Sequence, residues 1–311
     1  MLKISNKNLA KSSILIIGGT GFIGSHLSMR LLELGAVVTS ISLRKKRRHF
    51  DNRIKYFYLD LTNKKKLENY FKKNSFDYIF NLGGYVNHKK FSEGGSSVID
   101  EHFLNIIYQF KNIDKNKLKR YVFIGSADEY PILQSPKKLS ESTLCSPRSP
   151  YSFAKHSTIN FLQMLYRSEG WPISIARIFL TYGPGQGVNR LIPNIINHGI
   201  KFGVVNTTNG SQVRDFCYID DVIDGLISIV INKKAIGEIF NIASGKAVSV
   251  KNVIKILSNR IGCKINFGVI KKRKDEPEYQ VANISLSKKI LNWSPKINLE
   301  DGLKKTIDYY L

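Results

Sequence analysis

Gly18-Gly19-Thr20-Gly21-Phe22-Ile23-Gly24 stands between a short apolar run, Ser12 to Ile17, and a stretch, Phe22 to Leu34, whose apolar residues recur at helical spacing. Strand, glycine turn and helix in that order form the setting in which such a turn carries a dinucleotide. Glycines let the backbone bend sharply and approach a pyrophosphate, whose charge then rests on the helix N-terminus. Gly35 follows as a helix C-cap and Val37 to Ile41 as a second strand. Further strands are expected at Lys55 to Tyr58, Tyr78 to Leu82, Tyr121 to Ile124 and Ile173 to Ile178. Helices are expected between them, around 64–73, 98–112 and 150–168. This alternation predicts an α/β fold, a doubly wound parallel sheet with helices on both faces.

After Tyr182 the texture changes. Gly183-Pro184-Gly185-Gln186-Gly187 reads as a loop, and the elements beyond it are shorter, with helices at Asp220 to Ile231, Val250 to Ile261 and Ser285 to Leu291. The expected organisation is a dinucleotide-binding Rossmann domain over 1–180, rejoined by about 214–240, and a smaller lobe, mainly over 181–311, laid over the end of the sheet.

Composition narrows the class of protein. The 311 residues are 42% apolar and 23% charged, which excludes a disordered or collagen-like chain. No apolar run approaches the roughly 18 residues that would span a bilayer, and Ile14 to Ile17 is too short for a signal-peptide core. A cytoplasmic protein without membrane insertion is expected. The formal charge of +24 is spread along the chain in short clusters and reads first as a solvated Lys-rich surface, second as a field that steers anionic ligands. Cys145, Cys217 and Cys263 are far apart without a CxxC, and the six His show no metal-ligand spacing, so neither a disulfide framework nor a metal is expected.

Three constellations carry chemistry. The end of the second strand should bear an acid to bind the adenosine ribose of NAD, yet 35–50 contains none. Ser42 occupies that position with Arg44 just after it, which suits a 2′-phosphate and so NADP(H); the run also reads as one more basic loop, and NAD(H) stays open. Asp60, after the third strand, is placed to meet the adenine. Leu82, with Gly83 and Gly84, ends the fourth strand where a small-residue backbone can pass along the cofactor. Ser126 follows a strand at the carboxyl edge of the sheet, and Tyr151 and Lys155 lie four apart on one helix face. A neighbouring ammonium is expected to lower the tyrosine pKa from about 10, fitting Tyr151 for proton transfer while Ser126 holds the same oxygen.

With these residues the chain resembles an extended short-chain dehydrogenase/reductase of the nucleotide-sugar epimerase/dehydratase family over nearly its whole length. The likeness extends to Ser149-Pro150-Tyr151, Arg177-Ile178-Phe179, Arg214-Asp215-Phe216, Tyr218-Ile219-Asp220-Asp221, Phe240-Asn241-Ile242 and Leu291-Asn292-Trp293-Ser294-Pro295. It implies catalysis by Ser126, Tyr151 and Lys155. It also implies cofactor contacts at Gly18, Gly21, Phe22, Ile23, Gly24, Ser42, Arg44, Asp60, Leu61 and Leu82, as well as at Tyr151 and Lys155. Arg214 and Arg273 would neutralise the diphosphate of a nucleoside-diphosphate sugar, with an ion pair from Arg214 to Asp215 or Asp221 as the lesser alternative. A homodimer packed through the helix bearing Tyr151 is implied as well, with no nucleic-acid partner.

Departures from the family pattern bear on the reaction. Dehydratases of the family resemble Thr-Asp-Glu at the serine position. Aligned on Tyr130, this chain has Ser126-Ala127-Asp128, without the acid; a one-residue slip would restore Asp128-Glu129. Leu180 stands where many epimerases have an Asn that contacts substrate. The Ser42/Arg44 reading favours an NADPH-dependent 4-ketoreductase of a nucleotide-activated deoxysugar in surface-polysaccharide synthesis, with a 4-epimerase that retains NAD as the alternative. A catalytically silent scaffold is opposed by the intact Ser126/Tyr151/Lys155 set.

Overall fold

The computed structural model describes residues 9–43, 51–85, 89–133, 136–272 and 276–311. The N-terminal part runs β1 (Ser13–Ile17), α1 (Phe22–Glu33), β2 (Val37–Ser42), β3 (Lys55–Tyr58), α2 (Lys64–Lys73), β4 (Tyr78–Asn81), α3 (Ser97–Ile99), α4 (Asn105–Phe110), β5 (Arg120–Ser126), α5 (Pro150–Glu169) and β6 (Ile173–Ile178). Then follow β7 (Leu180–Tyr182), α6 (Leu191–Phe202), β8 (Val204–Asn206), β9 (Val213–Arg214), β10 (Phe216–Tyr218), α7 (Ile219–Ile231) and β11 (Ile239–Ile242). The chain closes with β12 (Val248–Ser249), α8 (Val250–Ile261), β13 (Lys264–Asn266), β14 (Tyr279–Gln280), α9 (Ser285–Leu291) and α10 (Leu299–Tyr310).

Seven strands form one parallel sheet in the order β11-β6-β5-β4-β1-β2-β3. Because side chains alternate across a strand, the sheet feeds two cores. Ile14, Ile16, Phe80 and Val122 belong to the core on the side of α1 and α7, which continues through the lobe to α8 and α10. Leu15, Ile17, Ile79, Tyr121 and Phe123 face α2, α4 and α5. The register sets Ile17 beside Ile41 and Asn81, and Ser126 beside Ile178, so that β1, β2, β4, β5 and β6 end along one edge. Asn81 fixes part of that edge: its Nδ2 donates to Tyr121 Oη (2.7 Å) and Gln109 Oε1 (3.0 Å), and its Oδ1 accepts the Gly83 N–H (3.0 Å).

The lobe is braced by carboxylates that take backbone N–H groups. Asp215 accepts from Ser244, Gly245 and Ala282, while Asp221 accepts from Lys296 and Ile297, with its carbonyl taking the Trp293 indole N–H. Two of the family-like motifs thus hold distant segments together. Helix α10 was not evident in the sequence pattern. Its Gly302 breaks the helical signal, but a Cβ there would stand 2.2 Å from the Tyr182 hydroxyl, so close packing requires glycine.

Candidate active site

Helix α1 begins directly after the glycine turn. Its N-cap, Gly21, makes no side-chain cap and its first turn has no acid, so the N-terminal N–H groups are open to an anion. Gly18 sits at φ +83°, where a Cβ would lie 3.0 Å from the Leu82 carbonyl oxygen; a Cβ on Gly24 would lie 2.2 Å from that of Gly18. The turn is therefore pressed against both β4 and its own helix, as a close-approach cradle for a pyrophosphate demands.

At the far side of β4, β5 carries Ser126 out to the sheet edge. The Ser126 Oγ accepts the Asp128 N–H (3.2 Å), and its own N–H goes to Glu129 Oε1 (2.7 Å). Helix α5 brings up Tyr151 and Lys155; it starts cleanly because Ser149 caps it and Pro150 occupies its first turn, and it stops at Gly170 in the left-handed region. Tyr151 and Lys155 are both buried. The Ser126 side chain lies beside the Tyr151 hydroxyl and draws its pKa down against burial. Lys155 Nζ donates to the Ile124 carbonyl (2.9 Å) and lies over the Phe123 ring.

The electrostatics differ from the sequence expectation. Burial, with the Asp128 carboxylate adding to it, raises the Tyr151 pKa well above the ordinary tyrosine value rather than lowering it. The Lys155 ammonium is turned to a backbone carbonyl, and burial brings its own pKa down to about 8. Both burial and Asp128 thus favour the neutral, protonated phenol of Tyr151.

One cleft of ≈ 780 Å³ is lined by Gly18, Gly21, Phe22, Ile23, Gly24 and Leu82, by Ser126, Tyr151 and Lys155, and by Arg214. Ser42, Asp60 and Leu61 do not line it. Ser42 closes β2; Asp60 turns its carboxylate onto Thr62, whose hydrogen bonds hold it below the usual carboxylate range; Leu61 packs on the second core. Arg44 and Arg273 lie outside the described residues.

Arg214 sits in the middle of a three-stranded sheet, between β12 and β14. Its Nη2 donates to Glu276 Oε1 (3.0 Å) and its Nη1 to the Val213 carbonyl (2.9 Å), so the partner is neither Asp215 nor Asp221. Burial lowers its pKa against the opposing pull of Glu276. Glu276, Asp128 and Arg190 also line the cleft and were not singled out from the sequence as binding groups. The run Glu276-Pro277-Glu278, acidic after the basic 271–274, was the available signal.

Glu129 is wholly enclosed: its Oε2 takes Arg177 Nη2 (3.0 Å) and Nε (3.3 Å), and Arg177 also donates to Tyr130 Oη (3.0 Å). It points away from the cleft, so the slipped Asp128-Glu129 pair does not present two carboxylates to a substrate. Contrary to the spacing, Glu129, Cys145 and His156 bring metal-capable atoms within 4.8 Å of one another, though Glu129 is already held by Arg177 and the Ser126 N–H. No helix among the described residues is long and apolar enough to cross a membrane.

A glycine turn, a strand-end serine and a Tyr-Lys pair in one cleft at the edge of a parallel sheet define a Rossmann-fold protein of the extended short-chain dehydrogenase/reductase type. The chain belongs to the NAD dependent epimerase/dehydratase family, whose model matches residues 14–243. It is 29% identical to a UDP-glucuronate 4-epimerase of Thermodesulfobacterium geofontis, over 95% of each chain. It is 25% identical to UDP-glucuronic acid decarboxylase 1 of Xenopus tropicalis, over 96% of this chain and 72% of that one. Among solved structures, UDP-glucuronic acid 4-epimerase from Bacillus cereus, in complex with UDP-glucuronic acid and NAD, superposes with a TM-score of 0.85 at 26% identity, covering 95% of this chain and 98% of that one.

Proposed function

We propose that the chain moves a hydride at C4 of a nucleoside-diphosphate sugar, acting as a 4-epimerase that retains its dinucleotide. The observation that carries this reading is the single cleft shared by the glycine turn, the Ser126/Tyr151/Lys155 set and Arg214. The 4-epimerases among its relatives favour epimerisation over net reduction. Dehydration is disfavoured by Ala127 at the acid position and by the inward-facing Glu129.

The dinucleotide, when bound, supplies the hydride acceptor and donor. Gly18 to Gly24 and the open N–H groups at the start of α1 would hold its pyrophosphate, and Tyr151 and Lys155, on the wall of the same cleft, would serve its reacting end. In the direction that forms the alcohol, Tyr151 gives its proton to the C4 oxygen and Ser126 holds that oxygen in place; in the reverse direction Tyr151 takes the proton back. A cationic partner near the buried phenol would draw its pKa down again and make that return step accessible. Arg214 offers a forked donor to the diphosphate, which must displace the Glu276 carboxylate.

A second reading, an NADPH-consuming 4-ketoreductase, is favoured by the acid-free segment around Ser42. Purified protein separates the two. The epimerase should carry NAD and interconvert two UDP-sugars with no cofactor added. The ketoreductase should bind NADPH better than NADH and oxidise it against a 4-keto nucleotide sugar, an outcome that would replace the first reading.

Arg214→Ala should weaken binding of the nucleotide sugar much more than that of the dinucleotide. Loss of a charge-assisted contact in a desolvated site is worth about 2 kcal/mol, roughly 30-fold in affinity. Isothermal titration with UDP and with NAD reads both constants, and equal losses would remove Arg214 from the diphosphate site.

A further inference from the structure

Helix α3 does not run smoothly into α4: residues Asp100–Leu104 between them form a π-helical turn. Such a turn rotates the side chains after it relative to an α-helix and often marks a functional site. Here it carries His102 into the interior, 3% exposed, between the end of β4 and helix α5. The His102 Nε2 accepts the Tyr85 N–H at 3.2 Å. Its ring stands edge-on to Tyr85 (5.3 Å, 87°) and to Tyr151 (5.7 Å, 79°). From α5, Thr158 Oγ1 donates to the His102 carbonyl (3.0 Å).

Gly84 completes the arrangement. It lies at φ +123°, and a Cβ there would stand 2.6 Å from His102 Cε1 and 2.8 Å from Nε2. The imidazole edge thus occupies the space that a side chain at 84 would need. Both Gly84 and Tyr85 line the cleft, on the stretch that leaves β4 beside Leu82.

We propose that His102 is a positioning residue for the dinucleotide-binding wall, holding the Gly84–Tyr85 backbone at a fixed distance from the Tyr151 ring through its Nε2 acceptor and its packed edge. The proposal rests on the reading of Tyr151 as the proton-transferring group. The role requires a neutral ring, because a protonated imidazole has no lone pair to offer the Tyr85 N–H. Of the groups around it, the Lys155 ammonium on α5 opposes a second positive charge, the Tyr151 and Tyr85 rings bring none, and the Glu101 carboxylate on its own turn, which alone would favour protonation, takes the Tyr85 hydroxyl at 3.4 Å. Burial first, and the Lys155 charge second, push the His102 pKa down to about 3. With Nε2 accepting, the hydrogen sits on Nδ1, which has no partner among the described residues.

Two substitutions distinguish an acceptor from a filler. His102→Gln can still offer an oxygen to the Tyr85 N–H, whereas His102→Phe fills the space and keeps an aromatic edge but strands that N–H. The expected result is an NADH dissociation constant within about threefold of wild type for Gln and about tenfold or more weaker for Phe, as for the loss of one buried hydrogen bond. Phe binding NADH as wild type does, or Gln as weakly as Phe, would overturn the proposal. Should either variant fail to fold, ¹⁵N spectra of the wild-type protein serve instead. The expectation there is a neutral, Nδ1-protonated His102 from pH 8 to 5, and titration in that range or an Nε2-protonated tautomer would overturn it. Turnover of Tyr151→Phe tests the underlying reading separately: full activity there sinks the function, whatever the His102 variants do.

Discussion

Tyr151→Phe should lower turnover about 100-fold or more while leaving NAD binding and thermal stability close to wild type, because it removes one hydroxyl from a site otherwise unchanged. That hydroxyl lies beside the Ser126 side chain and is enclosed with Lys155, so its loss withdraws the phenol proposed to transfer the proton. The ring remains to pack against His102. A stopped assay of UDP-sugar interconversion, run with wild type and variant at equal dinucleotide loading, gives the ratio directly. Wild-type turnover in the variant would refute the proposed proton transfer. The raised pKa of Tyr151 makes Lys155→Met a weaker test, since that lysine is bonded to the Ile124 carbonyl rather than to the phenol.

Arg177→Met should cost about 3–5 kcal/mol of unfolding free energy, the penalty for leaving a buried charge without its partner. Glu129 is fully buried and receives two Arg177 nitrogens, and the guanidinium also lies over the Tyr130 ring at 4.6 Å. Burial opposes the Arg177 charge, but Glu129 and Tyr130 outweigh it and raise its pKa. Combining the change with Glu129→Leu should recover a large part of the loss, because the uncompensated carboxylate goes with it. Urea denaturation of the single and double variants measures both effects. A single variant as stable as wild type would show that the pair does not hold the strand end beneath Ser126.

Much of the fold was readable because a parallel sheet covered on both faces leaves dense apolar runs separated by helical periodicity. Lys55 to Tyr58, Ile173 to Ile178 and Val250 to Ile261 are recovered with the same ends in sequence and structure. Strand β5 extends through Gly125 and Ser126 because its pairing with β6 continues to Ile178, which no local pattern reveals. The lobe was less legible for a physical reason. Strands β9, β12 and β14 are two residues each, too short for any period to register, and Arg214 meets Glu276 across 62 residues of chain. Tyr151, Lys155 and Ser126 could be noticed from spacing, but the direction of the Tyr151 and Lys155 pKa shifts depends first on burial, and for Tyr151 on Asp128 as well, which only the assembled cleft determines. His102 carried no sequence signal, since a π turn places it on a face that an α-helical reading assigns elsewhere.

The two cores differ in which parts of the chain they draw on, and that difference sets an order of assembly during synthesis. The buried residues of the core under α2, α4 and α5 all lie between Leu15 and Ile175, so that face of the sheet can close while the last third of the chain is still being made. The opposite core begins at Leu9 but needs Leu291, Trp293, Leu303 and Ile307. Until those residues leave the ribosome, α7 packs on the sheet and on α1 but lacks α9 and the Trp293 ring that lies beside Gly225, and nascent domains exposing apolar surface are prone to aggregate. The anchoring of Trp293, Lys296 and Ile297 on Asp221 is then a late latch, by which the final turns of the chain seal a sheet whose other face is already built.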